Sequence, residues 1–409
     1  MPMLKRALMT IFESWRRIVC ICAVVLVGIL VSTAHFHFYG HLEGLYALRD
    51  KNGAIVLTDD LILGDEDQVV FAFPVERVLG FFRGGVGHAS GIAHLDTEWF
   101  RFDGSGYVRS YMADGTYYLM CFSRFIDSAG LETKGLFVGG GLPFDLNGDQ
   151  RVTMNETGMA YYNGKEWLHT WCNVNESIAS GQHPEAPIAP STWRFLGSSV
   201  TMKTDEELVL TSNHEVDIDG TPFRVERIAS FKAGARHTTL AITIRNIGRN
   251  PAGYYYVYGD EPWVGDYGTS TGNVGWIQDR LIKYETAISP LNYGWAGYFD
   301  YGNEAAGESH NQSGTANFIE WQDGLRPDLV YFSNKIGTFA EEKDRVPLAS
   351  PNNRVIMLQW GPRMLVPGQS ETIIISVGMA DANPVTGFPV KPDTSGTLHL
   401  LIPYLKSGV

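Results

Sequence analysis

Acidic and aromatic residues cluster in the second half of the chain, within seventeen positions: Asp260, Glu261, Trp263, Asp266, Tyr267 and Trp276. Carboxylates accept hydrogen bonds from sugar hydroxyls, and a flat aromatic ring packs against the apolar face of a sugar. The sequence therefore predicts a carbohydrate site here, with Asp260 and Glu261 as general base and acid and the other four residues binding substrate. The alternative is a strand-end cluster with the tryptophans in the core.

A second polar group lies within and just after a segment rich in glycine and asparagine, Tyr293–Gly314: Asp300, Asn303, Glu304, His310, Asn317, Glu320, Trp321 and Asp323. Long ordered loops often shape functional sites, and this one is long for a compact sandwich. We expect Glu320 to act as a third catalytic carboxylate and Trp321 to bind substrate, in the same cleft as Glu261. His310 is a candidate general base, although a solvated loop histidine is the more common arrangement.

The spacing of oxygen-bearing side chains between residues 145 and 156 is that of a calcium loop. Ligands are expected at positions 1, 3, 5, 7, 9 and 12, with position 7 contributing its backbone carbonyl, and six to eight oxygens around one ion is the coordination that Ca²⁺ prefers. Gln150 stands where glycine normally makes the sharp turn, and an Asx-rich turn is the alternative. The predicted structural calcium site consists of Asp145, Asn147, Asp149, Arg151, Thr153 and Glu156.

Composition and charge narrow the class of protein. The chain has 409 residues, 44% hydrophobic and 12% aromatic, which is enough for a large core. Its net charge of −13 and the lack of a basic stripe argue against nucleic acid as a partner. The two cysteines of the body, Cys121 and Cys172, lack metal-site spacing and are compatible with either a disulfide or two free thiols.

Residues 1–34 resemble an export segment. An unbroken apolar run from Ile18 to Val31 follows the basic pair Arg16 and Arg17, as in a signal peptide or signal anchor. The run is short for a spanning helix, which needs about 20 residues, and a buried core helix is the alternative. Because positive charge stays on the cytoplasmic side, we expect residues 35–409 outside the cytoplasm, either secreted or anchored to the membrane by this helix.

The rest of the chain reads as many short strands separated by Gly, Pro, Asn and Asp. No helical period of useful length follows the export segment, so parallel βαβ units are improbable and an all-β, large antiparallel sandwich is expected. The irregular segment 139–192 is the candidate boundary between a β-rich region at 35–192 and a C-terminal sandwich at 193–409. Predicted strands include Ile55–Leu63, Gln68–Phe73, Glu98–Phe102, Tyr117–Phe125, Phe223–Phe231, Thr238–Ile247, Gly253–Tyr258, Val355–Trp360 and Thr372–Val377.

Two turns in the C-terminal half carry a family resemblance. The stretch Ala241–Pro251 contains Asn246-Ile247-Gly248-Arg249-Asn250-Pro251, and Leu365–Ser370 precedes a closing strand. Both resemble turns of the galactose mutarotase-like group, whose large β-sandwiches are called supersandwiches. The resemblance implies that fold over roughly residues 208–380 and a link to carbohydrate. The epimerases of the group carry a catalytic histidine on the strand after the first turn, where this chain reads Tyr258-Gly259-Asp260-Glu261-Pro262-Trp263.

The missing histidine argues against ordinary epimerase activity and leaves other functions open. An exported protein that binds a poly- or oligosaccharide, with or without processing it, is the leading hypothesis. If the protein is an enzyme, a polysaccharide lyase or a glycoside hydrolase using carboxylates is expected. A non-catalytic structural or protein-interaction protein of the cell surface is the alternative.

Overall fold

The computed structural model describes most of the second half of the chain and separate strands of the first half. The described parts of the second half are residues 192–264, 273–300 except 279, 316–334 except 323 and 324, 346–348, and 355–405 except 384 and 387. Before residue 192 it describes 45–49, 55–58, 68–73, 92–99, 106–122, 125–126, 132–133, 159–162, 167–174, 176–180 and 187–188. The predicted export segment lies outside these residues.

The chain divides into two compact units, residues 1–85 and 86–409. The first unit contains a three-stranded antiparallel sheet in which β1 lies between its two neighbours. Its strands are β1 (Leu45–Arg49), β2 (Ile55–Thr58) and β3 (Gln68–Phe73).

The second unit contains two large antiparallel sheets and a small hairpin. The eleven-stranded sheet consists of β4 (His94–Trp99), β5 (Gly106–Tyr111), β6 (Tyr117–Phe122), β9 (Met159–Tyr162), β10 (Trp167–Val174), β11 (Ser177–Ser180), β12 (Pro187–Ile188), β17 (Ala252–Val264), β20 (Thr286–Ile288), β23 (Leu329–Ser333) and β24 (Val355–Leu365). The hairpin pairs β7 (Phe125–Ile126) with β8 (Glu132–Thr133).

The ten-stranded sheet comes mainly from the C-terminal half. It consists of β13 (Arg194–Lys203), β14 (Glu207–Ile218), β15 (Thr221–Lys232), β16 (His237–Asn246), β18 (Asn273–Ile277), β19 (Arg280–Ile282), β21 (Trp295–Asp300), β22 (Ala316–Trp321), β25 (Ser370–Ala382) and β26 (Pro389–Val390). A short 3-10 helix spans Pro290–Asn292, and the helix α1 spans Ser395–Leu405.

Strand order follows the hydrogen-bonded neighbours. The main path of the eleven-stranded sheet is β20-β23-β24-β17-β10-β9-β6-β5-β4, with β11 pairing β17 and β12. The path of the ten-stranded sheet is β13-β14-β15-β16-β25-β22-β21-β18-β19, with β26 pairing β25. The antiparallel β-sandwich that the sequence predicts is confirmed. The division at residue 192 does not coincide with the two units, because the eleven-stranded sheet contains strands from both sides of it.

The main core lies between the two large sheets. In β16 the alternation is clear: Leu240, Ile242 and Ile244 belong to this core, while Thr239 and Thr243 alternate with them on the opposite face. Alternating apolar residues bury one face of a strand and leave the other for a second layer. The largest fully buried side chains of this core are Trp360, Tyr118, Tyr254, Tyr256, Tyr298 and Phe223.

The two turns of the family resemblance lie together at one end of the sandwich. The buried Asn246 side chain donates from Nδ2 to the carbonyls of Asn250 and Leu365, at 2.8 and 2.9 Å. Its Oδ1 accepts the Gly248 N–H at 2.8 Å. A Cβ at Gly248 would approach a methyl of Thr221 to 2.6 Å, so glycine fits the close approach of this turn. One asparagine therefore links both turns.

The helix α1 covers part of the outer face of the ten-stranded sheet. Leu401 is fully buried in a small cluster with Val209, Ile228 and Ala241. Beside this cluster the helix meets hydroxyl groups, because Thr397 bonds Thr239 at 2.7 Å and its carbonyl accepts from Ser230 at 2.7 Å. The expectation that no helix follows the export segment is wrong. The helix α1 has only eleven residues, and its nonpolar residues from Leu400 to Leu405 are consecutive, so they show no helical period. Its packing against the sheet stabilises it.

Most predicted strands are confirmed with shifted ends. Gln68–Phe73 is found as predicted, β15 and β16 differ from their predicted bounds by a few residues, and β17 continues to Val264, well past Tyr258. The segment 139–192 is not wholly irregular, since it contains β9 to β12. Among the described residues, no helix is both long and apolar enough to span a membrane.

Candidate functional site

A row of side chains crosses the outer face of the ten-stranded sheet. Strand register places Ser230, Thr239, Ser376, Glu320 and Trp295 opposite one another on β15, β16, β25, β22 and β21. Directly opposite residues have Cβ atoms about 5 Å apart on the same face of a sheet. The Glu320 carboxylate thus lies between the Ser376 hydroxyl and the half-buried indole ring of Trp295.

Both oxygens of Glu320 have partners from outside its own strand. Lys391 Nζ lies 3.1 Å from Oε1, and the Thr394 hydroxyl donates to Oε2. Gln322 Nε2 donates to the same Oε2 at 3.1 Å, and it also lies 3.2 Å from Ser376 Oγ. The Glu320 and Lys391 side chains are 17% and 18% exposed, so the two charges reach solvent, whereas Ser376 and Thr394 are buried. We call Glu320, Gln322, Ser376, Lys391 and Thr394 the Glu320 cluster.

His237 lies in the next row of side chains. It is opposite Gly378, which is opposite Phe318, and the imidazole and phenyl centroids are 6.1 Å apart in an edge-to-face arrangement. A Cβ at Gly378 would come within 2.2 Å of the Arg236 carbonyl oxygen, so only glycine fits between these strands. His237 is 5% exposed, and its Nδ1 is buried with no hydrogen-bond partner among the described residues.

Burial of the imidazole and the nearby Lys391 ammonium lower the pKa of His237 to about 4, with Arg236 acting in the same direction and Asp393 against it. The ring is therefore neutral near pH 7. A neutral imidazole carries one donor and one acceptor nitrogen, which suits hydrogen bonding to a hydroxyl.

Aromatic rings border the Glu320 cluster on its other side. Trp276 packs against Trp295 with centroids 4.3 Å apart and against Phe388 at 6.3 Å. Trp276 is fully buried, and its Nε1 donates to the Asn317 carbonyl at 2.9 Å. Trp295 is only partly buried and lies opposite Glu320. The ring best placed to meet a ligand in the present arrangement is thus Trp295, which the sequence did not single out.

The remaining predicted residues lie elsewhere in the fold. The backbones of Asp260, Glu261 and Trp263 belong to β17 of the eleven-stranded sheet, whereas Glu320 and Trp276 belong to the other sheet. The structure does not bring these two groups onto one sheet. Trp321 lies in the main core, and its Nε1 donates to the Tyr293 carbonyl at 3.0 Å.

Several predicted residues lie outside the described part of the chain. They are Asp266 and Tyr267, Asn303, Glu304, His310 and Asp323, and the six residues proposed to bind calcium between 145 and 156. Among the described residues no group of three or more His, Cys, Asp and Glu side chains could hold a metal ion. The calcium site therefore stays a prediction.

A buried ion pair lies between the two sheets. Arg227 donates to Glu176, and both side chains are less than one-twentieth exposed, at 3% and 4%. The Tyr256 hydroxyl donates to Glu176 at 2.6 Å, and the Arg227 guanidinium lies 4.8 Å from the centre of the Trp193 ring. Burial and the Glu176 carboxylate raise the pKa of Tyr256 well above its usual value. Sequence reasoning missed this group, because its members lie on separate elements.

The pH dependence of stability tests the environment of His237. The unfolded chain binds a proton at this residue below about pH 6.5, whereas the folded chain binds it only near pH 4. The contribution of the neutral His237 to the free energy of unfolding is therefore fully present above pH 6.5. It falls as the pH drops towards 4, by at most about 3 kcal/mol. Urea unfolding midpoints between pH 7 and pH 4.5 measure this loss.

Two variants distinguish the effect of protonating His237 from other causes of instability at low pH. His237→Gln is expected to flatten the pH profile in this range, while His399→Gln, at an exposed position of α1, is expected to leave the profile unchanged. An equal slope in His237→Gln and the parent protein would contradict the burial of the imidazole.

Comparison with solved structures returns proteins of low identity. A galactose mutarotase-like protein from Clostridium acetobutylicum is 7% identical at a TM-score of 0.35, and the match covers 71% of this chain and 99% of that one. A GalM/aldose epimerase homologue from C. elegans is 9% identical at 0.33, covering 71% and 100%. A protein from Synechocystis sp. PCC 6803 is 10% identical at 0.35, covering 71% and 96%.

The proteins from Clostridium acetobutylicum and C. elegans belong to the group that the sequence resembles. With TM-scores this low, neither an activity nor a ligand of these proteins can be assigned to the present chain. No protein-family model matches the sequence, and no curated protein matches it.

Proposed function

We propose that this protein binds carbohydrate on the outer face of the ten-stranded sheet, at the Glu320 cluster. The observation that carries the proposal is the arrangement around Glu320 itself. A partly exposed carboxylate, ammonium and amide, together with two buried hydroxyls, lie next to a partly buried indole ring. Such a mixture of polar groups and aromatic surface matches a ring that is polar at its edge and apolar on its face.

The charges of the cluster favour recognition of hydroxyl groups. Glu320 has Lys391 as its counter-ion, and His237 is neutral near pH 7, so donors and acceptors are present without a large net charge. Hydroxyls of a sugar donate to carboxylate oxygens and accept from amide groups, so Glu320 and Gln322 are the side chains proposed to contact the sugar. Binding rather than turnover is the proposed function, because the backbone of Glu320 lies in a different sheet from Asp260 and Glu261.

Thermal unfolding against a panel of oligosaccharides tests the proposal. A ligand at about 100 times its dissociation constant stabilises the folded state by roughly 2.7 kcal/mol, which gives a readable rise in melting temperature. Glu320→Gln and Trp295→Ala are each expected to weaken binding about tenfold or more, because a charged acceptor or the stacking ring is lost. Titration calorimetry measures the affinities.

The matched control for the aromatic substitution is Tyr284→Ala, at a 43% exposed ring outside the cluster, and it is expected to bind like the parent protein. A folded protein whose melting temperature no oligosaccharide changes would overturn the proposal. Equal affinities in Trp295→Ala and the parent protein would move the binding site away from this face.

Export and calcium binding accompany this proposal as predictions from the sequence. The apolar run at residues 18–31 supports an extracytoplasmic location, and the oxygen spacing at residues 145–156 supports a structural calcium ion. A drop in melting temperature with chelator, restored by added calcium, is the measurement that tests the second of these. A cell-surface structural or protein-interaction role stays the alternative if no glycan binds.

A further inference from the structure

A short segment before α1 crosses the outer face at the candidate site. We call residues 388–394 the C-terminal strap. It contains β26, which pairs β25 through only two residue pairs, Asp381 with Val390 and Ala382 with Pro389. The turn before it is open to solvent, with Val385 90% exposed. The strap is thus held by few backbone hydrogen bonds at its N-terminal end.

The aromatic end of the strap covers the ring surface at Trp276. Phe388 packs edge-to-face against Trp276, with centroids 6.3 Å apart, and lies 5.9 Å from the Phe299 ring. Trp276, which the sequence predicts to bind substrate, is fully buried as a result of this packing and its contact with Trp295. An apolar ring of the chain itself lies where the apolar face of a ligand would lie.

The polar end of the strap provides a partner for each carboxylate oxygen of Glu320. Lys391 pairs with Oε1, and the Thr394 hydroxyl donates to Oε2. Both partners come from the strap, and an ammonium and a hydroxyl are the kinds of donor that a carboxylate would otherwise accept from a ligand. Lys391 Nζ also lies 6.0 Å from the centre of the Phe318 ring, so the strap extends to the neighbouring row that contains Phe318 and His237.

We propose that the C-terminal strap is an autoinhibitory lid, which imitates a bound sugar and leaves Trp276 and Glu320 when carbohydrate binds. This inference rests on the proposed function. The helix α1 remains packed on the ten-stranded sheet through Leu401 and the Thr397 hydroxyl. The strap can therefore move away from Glu320 while the helix after it stays in place. The free protein then exists mainly in a closed state, and the apparent dissociation constant is the intrinsic value divided by the open fraction.

Weakening the closed state tests the lid. Phe388→Ala removes the ring that covers Trp276 and is expected to tighten oligosaccharide binding about tenfold, because a larger fraction of the protein is open. Val385→Ala, at the exposed turn, is the matched control and is expected to bind like the parent protein. Thr394→Val, which removes one donor to Glu320, is expected to tighten binding by a smaller factor. Calorimetry measures all four affinities.

Hydrogen exchange gives a second readout that a purely structural strap would not show. Saturating oligosaccharide is expected to speed amide exchange in residues 388–394 while leaving the amides of α1 unchanged. Weaker or equal binding in Phe388→Ala, or slower exchange in the strap, would overturn the lid and leave carbohydrate binding intact. Absence of binding in both the folded parent and folded Phe388→Ala would overturn the proposed function and the lid together.

Discussion

Replacement of Arg227 by methionine is expected to lower the free energy of unfolding by about 3–5 kcal/mol, the largest effect of any substitution considered. The reason is that Glu176 would keep its carboxylate inside the sandwich without a counter-ion. Among the described residues the Tyr256 hydroxyl also donates to that carboxylate, but it carries no positive charge. Urea unfolding followed by tryptophan fluorescence measures the change, since Trp193 lies against the guanidinium.

A double substitution and a surface pair provide the controls. Arg227→Met together with Glu176→Gln removes both charges, and it is expected to recover most of the stability lost by the single change. Arg194→Ala breaks the pair with Glu215, in which the arginine side chain is 66% exposed, and should cost under about 1 kcal/mol. A cost of Arg227→Met as small as that of Arg194→Ala would show that the interior pair is solvated.

Asn246→Ala is expected to destabilise the fold by about 4 kcal/mol. The substitution leaves the buried Leu365 carbonyl and two part-buried groups, the Gly248 N–H and the Asn250 carbonyl, without their partner. An unpaired buried group costs about 1–3 kcal/mol, and a part-buried one costs less. Because these groups belong to two turns that are distant in sequence, both turns should loosen together. Urea unfolding measures the loss, and limited proteolysis is expected to show cleavage at residues 247–250 and 366–369.

The matched control is Asn250→Ala, which removes an exposed amide side chain and keeps the carbonyl that Asn246 uses. It is expected to change stability by less than about 0.5 kcal/mol. Asn246→Asp retains the acceptor for Gly248 but sets a carboxylate against two carbonyl oxygens, so it should be no better than alanine. If Asn246→Ala and Asn250→Ala are equally stable, the side chain does not join the turns.

The sequence predicted the sandwich because its signals are local. Alternation in β16 and the turn residues around Gly248 depend on neighbours within a few positions, and they indicated both the strand and its end. The link from Asn246 to Leu365 spans 119 positions, and nothing local reveals it. The turns were therefore recognised as turns, while the asparagine that joins them was not.

The candidate site was only partly predictable for the same reason. Glu320 was identified from its residue type, but its partners Lys391 and Thr394 come from a segment that passes over β25 much later in the chain. His237 reaches Phe318 only because register sets both opposite Gly378. Period-2 patterning fixes which residues share a face, but it does not fix which strands are neighbours or how they align.

The mixed origin of the eleven-stranded sheet has a consequence for how the protein folds. Strand β10 pairs with β17, and β17 pairs with β24. In each pair the residues that face each other are more than 80 positions apart in sequence, so the first strand is synthesised well before its partner. Pairing across such separations makes folding slow, and unpaired strand edges associate with other chains. During synthesis, β10 keeps an open edge until β17 is available. A chaperone that binds extended strands would protect the nascent chain during that interval.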